Sequence, residues 1–183
     1  MTPGARWRSP RAGFAAALLL ALAAAGAQGV LSTRDETPPV TSTARVGETA
    51  VLGGTTVVVD AVTTAAALPA AEAGDPDVAG PAGSVLVLVV FTQRVDASVD
   101  LERHFCTSTL VADDGSVWDP DDELGYRLRR PEASTCGDDT SDPIRPGEPR
   151  QIGASFLIPA RYADQVRWRL SLEDDRTRLE VRP

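Results

Sequence analysis

The chain has 183 residues, with 26 acidic side chains against 18 arginines, no lysine and a formal charge of −8. Past Leu31 the balance is 15 arginines against 26 acids, 15 − 26 = −11. That balance speaks against nucleic acid as a partner, since nucleic-acid binding rests on neutralised phosphates, and against docking on anionic lipid headgroups.

The first element is Ala12–Leu31, AGFAAALLLALAAAGAQGVL, which carries no charge and follows Arg6, Arg8 and Arg11. Two readings stay open. A basic start, an apolar core over Phe14–Ala25 and small residues at Ala25-Gly26-Ala27 fit a cleaved secretory signal. About 20 apolar residues also suffice for one membrane span, and no turn signal separates Ala27 from Leu31. Either way residues 1–31 form an apolar helical segment, a signal peptide or signal anchor. Three arginines before it and none within it keep the N-terminus inside. The rest of the chain is then expected outside the cytoplasm, secreted or held by a single membrane pass. No cysteine follows the apolar core, so lipoprotein processing has no acceptor. Residues 32–43, STRDETPPVTST, have no helical or strand period and read as a linker.

About 150 residues remain, the usual size of one domain. From Ala44 onward the signals are strands. TTVVVDAVTT at Thr55–Thr64 is β-branched and follows Gly53-Gly54. Ala65–Ala82 is broken by Ala, Gly, Pro and acids and reads as a long loop. SVLVLVVFT at Ser84–Thr92 is the most apolar strand. Phe105–Ala112 leads through the turn Asp113-Asp114-Gly115-Ser116 into Val117-Trp118. Tyr126–Arg129 reads as a further short strand, Ser134–Asp142 as a polar loop and Pro146-Gly147-Glu148 as a turn. QIGASFLI at Gln151–Ile158 stops at Pro159, VRWRLSL at Val166–Leu172 alternates, and Leu179–Arg182 closes the chain. No segment after residue 32 shows a helical stripe. The expectation is an all-β two-sheet sandwich over residues 44–183, with Trp168, Phe156 and one face of Ser84–Thr92 in its core.

Cys106 and Cys136 are the two cysteines. An isolated pair in an oxidising compartment predicts a disulfide. A redox-active CxxC is absent from the sequence.

The order Val46-Gly47-Glu48-Thr49, a β-branched strand and a long apolar strand, with Asp114-Gly115 before an aromatic and Pro146-Gly147-Glu148, Gly153, Phe156 and Pro159 near the end, resembles a known family. It is similar to the small exported immunoglobulin-like domains of bacteria, telokin-like in topology, of unknown function and related to secreted immunogenic antigens. The resemblance covers about Ala44–Pro183 and implies an immunoglobulin-like fold. It transfers no catalytic residue. The long Ala65–Ala82 insert and the polar stretch around Cys136 depart from it.

The chemistry-bearing residues are sparse. His104 is the single histidine, no G-x-S-x-G accompanies it, and it reads as a surface or strand-end residue. Asp119, Asp121, Asp122 and Glu123 form the densest acid cluster and are weak calcium candidates, because extracellular calcium tolerates weak sites. Gly125 falls one position late for an EF-hand loop and no Glu closes it. Asp138, Asp139 and Asp142 form a second acid cluster. Arg127, Arg129 and Arg130 make a basic patch that reads as internal ion pairing or, more sharply, as anion recognition. In Ser84–Thr92, Leu86, Leu88 and Val90 point away from the core. Three apolar residues there call for a cover: the chain's own Ala65–Ala82 loop, or a partner surface.

The resulting expectation is a noncatalytic extracytoplasmic binding or scaffold module of the cell envelope, not an enzyme, with no cofactor. Its partner is a protein or envelope ligand, with membrane contact through the N-terminal segment if that segment stays uncleaved. The alternatives are a calcium-dependent module using residues 119–123 and, behind it, an envelope hydrolase, which needs two carboxylates across a cleft.

Overall fold

Eleven strands and one short helix are laid out in a computed structural model that describes residues 40–131, 133–138, 142–172 and 177–182. The apolar segment at 12–31 lies outside the described residues, as do residues 32–39 of the expected linker. Among the described residues no helix is long and apolar enough to cross a membrane.

Strands β1 (Val40–Arg45), β2 (Thr49–Leu52) and β3 (Thr55–Ala65) come first. The expected linker therefore gives way to a strand at Val40, four residues before Ala44. A minimal hairpin follows, β4 (Ala67–Leu68) and β5 (Val78–Ala79), then β6 (Ser84–Val95), β7 (Cys106–Ala112) and β8 (Val117–Trp118). The helix α1 (Asp122–Arg127) precedes β9 (Pro149–Pro159), β10 (Val166–Leu172) and β11 (Thr177–Arg182). One sheet has the order β1-β11-β10-β7-β8 and the other β2-β3-β6-β9. All pairings are antiparallel except β1 on β11.

Alternation decides which residues fill the space between the sheets. Val87, Val89 and Phe91 of β6 and Ile152, Ala154, Phe156 and Ile158 of β9 meet Leu110, Trp168, Leu170 and Leu179 from the other sheet. The Phe91 and Trp168 rings lie 4.9 Å apart at 43°, a tilted pair bridging the two layers. Trp168 Nε1 donates to Ser108 Oγ at 2.7 Å, so the indole is buried without losing its polar bond.

A second, smaller core lies on the outer side of the four-stranded sheet. Leu86, at 1% exposure, packs with Leu68 and Val78 of the hairpin and with Leu124 and Leu128 at α1. Ala65–Ala82 is thus more ordered than a loop: it folds back as β4 and β5 and lies over β6. Gly80 allows the close approach, because a Cβ there would come within 2.7 Å of Ser84 Oγ and 3.3 Å of Leu157 Cδ1. Helix α1 replaces the short strand expected at Tyr126–Arg129. Asp121 caps it, its carboxylate accepting from Leu124 N at 2.8 Å. Leu124 and Leu128, spaced i,i+4, reach the same apolar patch. Leu128 bridges to Ala70, and Arg129 N donates to Pro69 O at 2.9 Å, tying the helix end to the hairpin.

Cys106 and Cys136 form the expected disulfide, with Cα atoms 5.8 Å apart. It ties the segment before β9 to the start of β7, and so to the other sheet.

Candidate functional site

The acid cluster at Asp119–Glu123 is dispersed by the helix it builds. Asp121 spends its carboxylate on the cap, and its backbone is fixed to β9 through Asp121 N→Ser155 O at 2.7 Å and Ser155 Oγ→Asp121 O at 3.2 Å. Asp119, Asp122 and Glu123 are exposed. Gly125, one position late for a calcium loop, is a buried helical residue. A Cβ there would meet the Arg130 guanidinium at 3.0 Å and Ser155 Oγ at 3.1 Å. Among the described residues no group of three or more His, Cys, Asp or Glu could hold a metal ion.

The other sequence candidates are also taken up by the fold. Asp138 accepts from Ile144 N at 2.8 Å, and Asp142 holds Arg150 at 2.7 Å; Asp139 lies outside the described residues. Gln93 Nε2 donates to Cys136 O at 3.2 Å, and Arg150 reaches Gly137 O at 3.1 Å, so the segment at the disulfide is fastened through its backbone. His104 is not a surface residue: its side chain is buried, at 1% exposure, beside the disulfide segment. The basic patch divides. Arg127 and Arg129 are exposed, while Arg130 donates to Gly125 O at 2.7 Å and Pro131 O at 3.0 Å, closing the turn after α1. Leu86 is covered by this chain's own hairpin and helix, whereas Leu88 and Val90 stay half-buried.

A site that residue spacing did not single out lies on the outer face of the five-stranded sheet. Strand β10 alternates Val166, Trp168, Leu170 inward with Arg167, Arg169, Ser171 outward. Strand β11 puts Leu179 and Val181 inward and Arg178, Glu180, Arg182 outward. The parallel strand β1 adds Arg45, directly opposite Arg182 in the register. Trp168 pairs with Val181, so Arg167 and Arg182 share the next step of that ladder. Arg45, Arg182 and Arg167 therefore form one row across three neighbouring strands, with about 4.8 Å between strands.

Five arginines share this face, on a chain whose charge is −8. Arg169 donates through Nε at 3.1 Å and a terminal nitrogen at 2.6 Å to Glu180 Oε1. Arg167 pairs with Asp113 at 3.2 Å. Arg45, Arg178 and Arg182 form no ion pair among the described residues. The Nε atoms of Arg167 and Arg178 are buried without a hydrogen-bond partner among the described residues. Beside the row lies a groove of about 350 Å³ lined by Thr43, Arg45, Glu48, Arg167, Glu180 and Arg182. A second groove, of about 460 Å³, shares Arg167 and Arg182 and extends to Asp113, Asp164 and Gln165.

At the rim, the β7–β8 turn is held by Asp114. Its carboxylate accepts from Ser116 N at 2.9 Å and from Tyr162 Oη at 2.8 Å. The backbone bond from Ser116, then the Tyr162 hydroxyl, hold its pKa below the ordinary value of 3.8.

No family model matches the chain, and neither does any curated protein. Solved structures do. An uncharacterised β-sandwich protein from Clostridium difficile 630 aligns with TM-score 0.50 and 10% identity over 80% of this chain and 97% of its own. The yjhA protein from Bacillus subtilis aligns with TM-score 0.50 and 13% identity over 75% of this chain and 97% of its own. At these identities the likeness shows the β-sandwich fold alone.

Proposed function

We propose that this protein is a noncatalytic extracytoplasmic binding module of the cell envelope, and that it binds an anionic ligand on the outer face of the five-stranded sheet. One observation carries the reading: five arginines are gathered on one face of an otherwise acidic chain. Concentrated arginine recognises carboxylate and phosphate through planar, bidentate bonds. The Cys106–Cys136 disulfide supports an oxidising compartment. The charge-free segment 12–31 supports export, by secretion or by a single membrane pass.

The finer assignment to the immunoglobulin-like, telokin-like exported domains belongs to the same proposal. It is supported by the strand plan: β6 pairs with β9 in one sheet, while β7, β10 and β11 lie side by side in the order β7-β10-β11 in the other. That is the crossing pattern of the B, E and C, F, G strands of an immunoglobulin sandwich.

The test is retention of the full chain on material from the native envelope. Saturable binding that is lost in an Arg45→Gln/Arg182→Gln double variant, with the disulfide intact and the melting temperature not lowered, supports the reading. Retention that ignores the double variant, or saturates nowhere, overturns it.

A further inference from the structure

We infer that the row Arg45–Arg182–Arg167 is a binding site for a phosphate group, which deepens the binding-module reading and rests on it. The register sets Arg45 directly opposite Arg182, with Arg167 at the next step. Like charges directly opposed across strands repel. Among the described residues no acid forms an ion pair with Arg45 or Arg182. Glu180 is taken by both donors of Arg169, Asp113 is taken by Arg167, and Glu48 accepts from Arg45 through the backbone N–H at 2.9 Å rather than the guanidinium. Arg45 and Arg182 are thus two exposed guanidiniums without an acid partner among the described residues, a charge that a phosphate monoester of about −2 matches and a lone carboxylate only halves.

The space fits as well. The row is flanked by the two grooves of about 350 Å³ and 460 Å³, which share Arg167 and Arg182. Each guanidinium offers a rigid fork of donors suited to two phosphate oxygens. Arg167 is held in place by Asp113 at 3.2 Å, so it enters the site already oriented.

The shared chemistry is the phosphate group, whether free, on a soluble ester or on a lipid headgroup. The full chain is titrated with inorganic phosphate and with glycerol phosphate, reading the melting temperature and calorimetric heat against sodium chloride at matched ionic strength. Retention on phosphatidylcholine vesicles doped with phosphatidic acid, relative to undoped vesicles, and its competition by inorganic phosphate, tests the headgroup as source. Phosphate is expected to raise the melting temperature where chloride does not. Arg45→Gln and Arg182→Gln should each weaken binding about tenfold or more, and the double variant should abolish it. Arg94→Gln, an exposed arginine on the other sheet, should leave it unchanged. A rise that chloride reproduces, or an affinity that Arg45→Gln and Arg182→Gln leave as it was, overturns the site. If phosphate fails while envelope material still binds and is released by the double variant, phosphate recognition falls and the binding-module reading stands. If neither binds, both fall.

Discussion

The two outer faces of the sandwich have been treated in opposite ways. Outside the four-stranded sheet, Leu86 is roofed by the β4–β5 hairpin and α1, with Leu88 and Leu157 half-buried at the margin of this second core. Outside the five-stranded sheet no described hairpin or helix builds a second apolar core, and arginines stand where the other side has leucines. The contrast teaches that an apolar outer face obliges the chain to supply a cover. A charged one can stand against solvent without an apolar cover.

The largest expected effect tests the covered face. Leu86→Ala should cost about 2–5 kcal/mol, the range for emptying a buried leucine site, measured by urea unfolding. A cost near zero would mean the roof is not packed. Next comes the link across the sandwich. Cys106→Ala should cost about 2–4 kcal/mol, and thiol labelling of denatured wild-type protein should find neither cysteine free. Asp121→Ala, which removes the cap of α1, should cost about 1 kcal/mol and loosen the roof locally, read as faster amide exchange at Leu124 and Leu128.

The arginine face should respond with the other sign. Arg182→Gln removes a directly opposed like charge and should gain up to about 1 kcal/mol in the absence of ligand. An equal loss at Arg182 and at Leu86 would erase the difference between the faces. The smallest effect is at Asp114. Its folded pKa is depressed, so its contribution is present above 3.8 and disappears as the pH falls through the folded value. Asp114→Asn should flatten the acid limb of the stability profile below pH 3.8, where the wild type declines.

Much of the strand plan was legible. Val166–Leu172 matches β10 residue for residue, because a half-buried strand writes its two faces as strict alternation. Trp168 and Phe156 in the core, and the Cys106–Cys136 bond, were legible for equally local reasons. Helix α1 was not. Six residues give no stripe, and its stability rests on Asp121 capping and on two leucines that find a patch made by distant strands. The β4–β5 hairpin was missed for a similar reason: two-residue strands leave no period to read. The arginine row was half legible. Alternation sends Arg167 and Arg169 outward, but the arginines that stand out by sequence proximity are Arg127, Arg129 and Arg130, of which Arg130 is spent on backbone carbonyls.

By itself the sequence determined that the chain after its first segment is made of strands, which residues of each strand turn inward, and that its two cysteines belong together. These follow from period-two patterning and composition, which act within a few residues. Only the tertiary structure decided that β1 lies parallel to β11, bringing Arg45 beside Arg182 across some 137 positions (182 − 45 = 137). It likewise decided that Leu86 receives its cover from a hairpin before it and a helix after it. Strand order and the choice of cover depend on which distant surfaces fit together, and no local pattern encodes that fit.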